Sequence, residues 1–80
     1  VKITIEDYLE TILILSRRLP AVRSIDVANE LNFSKPSISV AMKNLKTRRY
    51  ITMSEEGYIF LTNEGRELAS ALIHILETYA

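Results

Sequence analysis

The sequence contains no cysteine and no tryptophan, and it has only two glycines and two prolines among its 80 residues. Without cysteine the chain can form neither disulfide bonds nor thiolate metal sites, as is typical of intracellular proteins. A hydrophobic fraction of 48% with so little glycine and proline predicts a helix-rich globular domain. No apolar run reaches the roughly 20 residues of a membrane-spanning helix, and the chain does not open on a signal peptide. We therefore expect one cytoplasmic domain with no membrane partner.

The sequence also lacks the patterns of catalysis. It has a single histidine, no glycine-rich phosphate loop and no nucleophile-elbow motif. With one imidazole and no thiol, no recognisable triad can be assembled. We therefore predict that the chain is not an enzyme.

A net positive charge is absent overall, but basic residues are concentrated in one segment. Ten basic and ten acidic residues give a formal net charge of zero. Residues 17–49 hold eight basic and two acidic residues, whereas the segments before and after them carry net charges of −2 and −4. Such a segment is either a solvated surface or a surface that contacts nucleic-acid phosphates. We favour phosphate contact, because this segment contains the helix-turn-helix pattern described below.

Apolar residues at helical spacing predict two helices in the first part of the chain. Thr4 and Asp7 match a capping box ahead of a first helix over residues 5–18. Pro20 ends this helix, since a proline disfavours helical geometry in the residue before it. Ser24 is the expected N-cap of a short second helix.

A third helix is predicted after a turn at Asn32–Phe33, with Ser34 as its cap and Pro36 in its first turn. At about 100° per residue, the packed side of this helix is formed by Ile38, Met42, Leu45 and Arg49. Two short helices joined by a tight turn, the second followed by basic residues, are typical of a DNA-binding helix-turn-helix.

The free side of the third helix carries small, polar and basic residues. From residue 35 to residue 49 there are five basic residues and no acidic one. A helix with this surface can enter the major groove, which is roughly 12 Å wide. We predict that Ser34, Pro36, Ser37, Val40, Lys43 and Asn44 face the groove of double-stranded DNA, with Lys35, Lys46, Arg48 and Arg49 nearer the backbone.

Two β-rich runs after Tyr50 are separated by Glu55–Glu56–Gly57, which predicts a hairpin with glycine at a positive φ. Thr62 then caps a last helix over residues 63–78. The expected fold is mainly α with a small β-hairpin: a winged helix-turn-helix of order helix-helix-helix-strand-strand-helix. It forms a single domain over residues 1–80.

Acidic and imidazole side chains offer few metal ligands. Asp7 and Glu10 lie at i and i+3 on the first helix, so two carboxylates share a face and could bind a divalent cation. From the residues alone we favour the alternative that they are first-turn acids that complement the helix dipole. His74 is the only imidazole, and a lone histidine on an apolar helix is more often packed or exposed than bound to metal.

Several stretches together resemble the N-terminal part of the iron- and manganese-dependent repressors, the DtxR/MntR family, over about residues 3 to 72. They are EDYLE at 6–10 followed by Leu15–Ser16, the DVAxxL pattern at 26–31, residues 34–45, and LTNEGR at 61–66. The EDYLE opening is the more specific of them. Strings similar to LTNEGR also occur in MarR-like winged-helix regulators.

The resemblance implies a winged-helix repressor that forms a homodimer and binds a palindromic operator when loaded with Mn²⁺ or Fe²⁺. Asp7 and Glu10 match the family's aspartate and glutamate ligands. The family's histidine position corresponds to Leu76, and His74 lies two residues earlier, about 200° away around the helix. The remaining ligands and main dimer helices would lie beyond Ala80, so we expect a DNA-binding domain truncated before them.

The resemblance also assigns base-contacting positions to Ser34, Pro36 and Val40, where Val40 replaces a polar side chain and would contact a thymine methyl group. At the wing, an arginine common in the family is replaced by Glu55–Glu56, which would repel phosphate. Two alternatives stay open. One is a MarR-like regulator that responds without metal, and the other is a winged helix used as a protein-interaction module.

Overall fold

The computed structural model describes residues 4–70. Its elements are α1 (Ile5–Arg18), α2 (Ser24–Leu31), α3 (Lys35–Thr47), β1 (Ile51–Met53) and β2 (Ile59–Leu61), and residues 63–70 are helical. The predicted winged helix-turn-helix order is confirmed. The rest of the predicted last helix, with His74 and Leu76, lies outside the described residues. Within residues 4–70, no helix is both long enough and apolar enough to cross a membrane.

Helix α1 begins at the predicted capping box. The Asp7 backbone N–H donates to the Thr4 hydroxyl at 3.3 Å, and the Thr4 N–H donates to the Asp7 carboxylate at 2.9 Å. These two bonds satisfy donors that have no partner inside the helix. The bounds predicted for this helix, residues 5–18, are those observed.

The start of α2 differs from the prediction by one residue. Ser24 is already helical, and the N-cap position is taken by Arg23, whose backbone N–H donates to the Asp26 carboxylate at 2.9 Å. An acid at the third helical position can satisfy this N–H without a capping hydroxyl. The predicted turn is confirmed: Asn32 adopts a left-handed conformation, and the Phe33 N–H donates to the Ala28 carbonyl at 2.9 Å.

Helix α3 begins as predicted and ends earlier than its apolar pattern suggested. The Ser34 hydroxyl accepts a hydrogen bond from the Ser37 N–H. The helix stops at Thr47, and Arg49 follows with a φ of 65°. Arg49 is exposed, so its predicted place on the packed side of α3 was wrong. The left-handed residue breaks the helical spacing on which that prediction rested.

Each of the elements contributes to one hydrophobic core. Its buried members are Leu9, Ile12, Leu13 and Leu15 of α1, Val22, Val27, Ala28, Ile38, Met42, Leu45, Ile51, Ile59 and Ala69. Helix α3 enters the core through three side chains that are at most 2% exposed, Ile38, Met42 and Leu45. Each contributes about 1.5–3 kcal/mol by burial. This packing fixes which side of α3 faces outward.

The wing is an antiparallel hairpin that is attached to the segment before α2. Ile51 pairs with Leu61, and Gly57 between the strands has a φ of 88°, as predicted for the connection. The Ile59 N–H donates to the Val22 carbonyl at 2.8 Å. The Arg23 guanidinium carbon lies 4.6 Å from the centre of the Tyr58 ring, a cation–π distance. The hairpin is therefore held against the segment that leads into α2.

The helical segment 63–70 is joined to the end of α3 through Thr62 and Gly65. The Thr62 hydroxyl accepts from the Gly65 N–H at 3.1 Å, which confirms the predicted cap. The same hydroxyl donates to the Arg49 carbonyl at 2.8 Å. Gly65 is buried, and a Cβ on it would overlap the carbonyl oxygen of Tyr50. The Thr-x-x-Gly spacing thus locks this helix against the turn that follows α3.

Candidate DNA-binding surface

The outer side of α3 is the largest concentration of basic and polar side chains without acids in the described chain. All ten residues predicted to contact DNA are exposed: Ser34, Lys35, Pro36, Ser37, Val40, Lys43, Asn44, Lys46, Arg48 and Arg49. Val40 lies at the centre of this surface and is 71% exposed. An aliphatic side chain left so open is available to contact a partner.

Three strips run along the exposed side of α3, as the helical period and the grooves beside the helix show. The outer strip comprises Pro36, Val40, Lys43 and Thr47. The α1 flank comprises Ser37 and Asn44, which border a groove shared with Ile5 and Tyr8 of α1. The α2 flank comprises Lys35, Ser39 and Lys46, and Lys35 and Ser39 border a groove shared with Ile25. The predicted residues of the helix therefore spread over about 200°, a little more than half of the helix circumference.

Lys46 borders a different groove, together with Arg49 and Thr52 at the base of the wing, and the acidic Glu64 also lines it. The two basic residues are brought together there although one is helical and the other is not. A phosphate strand that follows the edge of α3 would meet both. Lys46 and Arg49 stay predicted contacts of the DNA backbone.

The electrostatic surroundings favour an anionic partner for α3. Within residues 4–70 the single ion pair joins Arg18 to Glu30, with 2.9 Å between the nitrogen and the oxygen. The three lysines of α3 thus have no carboxylate within ion-pair distance in the part of the chain that is described. Unneutralised lysines on one face attract phosphate and release its counterions on binding.

One predicted DNA contact, Ser34, also has a structural role. Two further exposed residues of α3 were not in the predicted set of DNA contacts. The Ser34 hydroxyl caps α3 and donates to the Ser37 hydroxyl at 3.0 Å, so it is partly used within the protein. Ser39 and Thr47 are also exposed on this helix. The helical period places Thr47 on the free side, but neither residue was among the predicted DNA contacts. The Thr47 hydroxyl donates to the Lys43 carbonyl at 2.9 Å.

The tip of the wing is acidic and exposed. Hydrogen bonds to Glu56 from its own backbone and then from Ser54 lower the pKa of this carboxyl, and the Arg23 charge acts in the same direction. Glu56 therefore stays ionised at neutral pH, and a second exposed acid, Glu55, lies next to it. Two acidic side chains at this tip oppose the approach of a phosphate backbone.

The predicted metal ligands lie on the first part of α1, and both are half-buried. One oxygen of Asp7, Oδ2, accepts from the N–H and the hydroxyl of Thr4. Its Oδ1 makes no hydrogen bond within residues 4–70. Two carboxylates at i and i+3 fit the oxygen preference of a divalent cation. Among the described residues there is no group of three ligands, so the two carboxylates form at most part of a site.

A compact three-helix core, an outward-facing basic third helix and a β-hairpin define a winged helix-turn-helix DNA-binding module. The family model described as iron dependent repressor, N-terminal DNA binding domain, matches residues 2–60. The chain belongs to this family, a family of DNA-binding regulators rather than enzymes. The family resemblance seen in the sequence is therefore confirmed.

Curated relatives agree with this assignment. The chain is 38% identical over 65 residues to the transcriptional regulator MntR of Escherichia coli O157:H7, a match that covers 81% of this chain and 42% of the relative. The corresponding regulator of Salmonella typhimurium is 35% identical over 65 residues, with 81% and 41% covered. The chain thus spans about two fifths of the length of these relatives.

Solved structures show the same fold at lower sequence identity. MepR, a transcription regulator of the Staphylococcus aureus multidrug efflux pump MepA, superposes with a TM-score of 0.70 and is 22% identical. That match covers 90% of this chain and 57% of MepR. A mutant form of the same MepR gives a TM-score of 0.72 at 22% identity, with 96% and 61% covered. These similarities confirm the winged-helix fold.

Proposed function

We propose that the chain is the DNA-binding domain of a cytoplasmic, metal-dependent transcriptional repressor that acts as a homodimer on a palindromic operator. The observation that carries the proposal is the outer side of α3, where three exposed lysines and exposed Val40 and Asn44 occur with no acid on the helix. Family membership supports the repressor role. The residues beyond 80 in a longer protein would supply the main dimer contacts.

In this proposal α3 enters the major groove of double-stranded DNA. The outer strip faces base edges, because it is opposite the side held in the core by Ile38, Met42 and Leu45. Lys35, Lys46 and Arg49 lie at the margins of the helix, where the phosphates run. Two such helices in a dimer would contact half-sites about one helical turn apart, roughly 34 Å.

Metal dependence rests on the carboxylates of α1. Asp7 and Glu10 would hold Mn²⁺ or Fe²⁺ through oxygen, and the cation would neutralise their charge and link α1 to ligands outside the described residues. The Oδ1 atom of Asp7 is available for this while Oδ2 keeps the capping box closed. A metal that joins two parts of the protein can stabilise the orientation in which the DNA-binding helices match the operator.

Binding of the chain to operator DNA is expected to weaken steeply with salt. If each chain contacts three or four phosphates, raising the salt from about 50 to 200 mM lowers its affinity roughly 50- to 150-fold. Titration of a fluorescent duplex by anisotropy at several salt concentrations measures the slope. A flat salt dependence, or no binding to any duplex, would favour the protein-interaction module and contradict the proposal.

Metal is expected to raise operator affinity in the natural protein that contains this chain, by about 5- to 150-fold, the usual range of allosteric coupling. Glu10→Gln removes a ligand charge with little change of shape and should reduce this gain. Glu6→Gln alters an exposed neighbour on α1 and should leave the gain intact. Duplex binding with and without added Mn²⁺ or Fe²⁺ is the measurement. Equal affinity in both conditions would instead support a regulator of the MarR-like, metal-free kind.

A further inference from the structure

Arg48 and Asn44 are joined by two hydrogen bonds at the end of α3. The Arg48 backbone N–H donates to the Asn44 backbone carbonyl at 3.0 Å, as expected at a helix C-cap. In addition, the Arg48 Nε donates to the Asn44 side-chain oxygen Oδ1 at 3.3 Å. The second bond joins two exposed side chains and is not needed to form the helix.

This side-chain bond determines which way the Asn44 amide points. A guanidinium has five N–H donors and no acceptor, so only the amide oxygen can face Arg48. The amide nitrogen Nδ2 must then point away from Arg48. The amide of an unrestrained asparagine can rotate by 180°, which interchanges the positions of its oxygen and its nitrogen. Such an amide can present either an acceptor or a donor to a base edge and therefore discriminates less between bases.

The amide held in this way lies on the α1 flank of the helix, directly beside the outer strip. Asn44 follows Val40 by four residues, one turn of the helix, and both border the same groove beside α1. Val40 is 71% exposed, so this part of α3 is open to a partner. In the major groove both purines present the acceptor N7, to which an amide nitrogen can donate.

We infer that Arg48 is a positioning residue that fixes the Asn44 amide so that Nδ2 donates to the N7 of a purine in the operator half-site. The inference rests on the proposed DNA-binding function and specifies how α3 recognises sequence. It gives Arg48 a different role from the phosphate contact expected from its charge alone. The bond to Asn44 occupies the Nε donor, and the amide loses its rotational freedom on folding instead of on DNA binding.

The experiment starts by selecting sequences that the 80-residue chain binds from a pool of random duplexes. Affinities of the parent, Asn44→Ala and Arg48→Lys are then measured for the selected duplex and its single-base-pair variants. Arg48→Lys keeps the charge but loses the planar Nε donor. Arg49→Lys is the matched control, because Arg49 is the exposed neighbour and makes no side-chain hydrogen bond within residues 4–70.

The parent is expected to prefer a purine about tenfold at one position of the half-site, and Asn44→Ala should abolish that preference. Arg48→Lys should reduce the same preference several-fold while binding to non-selected duplexes stays within about twofold. Arg49→Lys should leave the preference unchanged. When Arg48→Lys is added to Asn44→Ala, no further loss of discrimination is expected, since the two residues act as a unit.

Two outcomes would overturn the inference while leaving the DNA-binding function in place. One is a purine preference that survives Asn44→Ala, and the other is an Arg48→Lys variant that discriminates as well as the parent. Thermal unfolding of each variant confirms that it is folded before binding is measured. If the parent enriches no sequence from the pool, sequence recognition by α3 is wrong, and both the inference and the proposed function are contradicted.

Discussion

Replacing Lys43 by glutamate and Asn44 by alanine together is expected to lower operator affinity by at least about 30-fold, since a lost base contact and a reversed charge each cost roughly 1–3 kcal/mol. Both side chains are exposed on α3, and neither contributes to the buried core. The loss should therefore appear in DNA binding and not in folding. Titration of an operator duplex at fixed salt measures it, with thermal unfolding as the check on the fold.

A matched control separates a local effect from a change in net charge. Arg66→Glu changes the charge by the same two units as Lys43→Glu, but in the exposed part of the helical segment 63–70. The new acid falls in the first turn of that helix, where the helix dipole favours it. Affinity for the operator should then fall only a few-fold through long-range repulsion. A double variant of α3 that stays folded and binds as tightly as the parent would refute the assignment of α3 as the DNA-binding helix.

Gly65→Ala is expected to destabilise the domain by about 2–4 kcal/mol, because an added Cβ would overlap backbone atoms that cannot move aside as a flexible side chain can. The atom in its way is the carbonyl oxygen of Tyr50. That carbonyl also accepts a hydrogen bond from the N–H of Thr62 at 3.0 Å, so shifting it would strain the junction with α3. A small domain is stable by only about 5 kcal/mol or a little more, so this loss should remove about half of its stability or more.

Urea denaturation followed by circular dichroism measures this loss, and Gly57→Ala provides the comparison. Gly57 has open space around its Cβ position and a φ of 88°, so its substitution carries only backbone strain. That strain costs about 1 kcal/mol. A Gly65→Ala variant as stable as the Gly57→Ala variant would mean that a Cβ on residue 65 fits beside the Tyr50 carbonyl, and would contradict this prediction.

Local patterns in the sequence were sufficient for most of the secondary structure. The boxes and caps at Thr4, Ser34 and Thr62 each involve residues three apart, and such short-range hydrogen bonds are specified by residue type and spacing. The positive φ at Gly57 was predictable for the same reason. The exposed face of α3 followed from the helical period. Where the same reasoning erred, at Ser24 and Arg49, the error was in where the helix starts or stops.

Tertiary structure decided the relations between distant parts of the chain. Because Gly65 has no Cβ, its backbone packs directly against the Tyr50 backbone, fifteen positions earlier in the chain. The stacking of Arg23 on Tyr58 joins the wing to the N-cap of α2. The division of the exposed residues of α3 among three strips also depends on which helix lies beside each of them. No local pattern contains that information, because it depends on how the core packs the helices against one another.

The sequence by itself thus determined that the chain is a winged helix-turn-helix with a basic third helix, because caps, turns and periodicity act over a few residues. The structure alone showed that the Arg48 guanidinium holds the Asn44 amide, although the two residues are only four apart. Their spacing permits that contact on any helix. Whether it forms depends on the rotamers of two exposed side chains at the end of α3, which residue type and spacing alone do not determine.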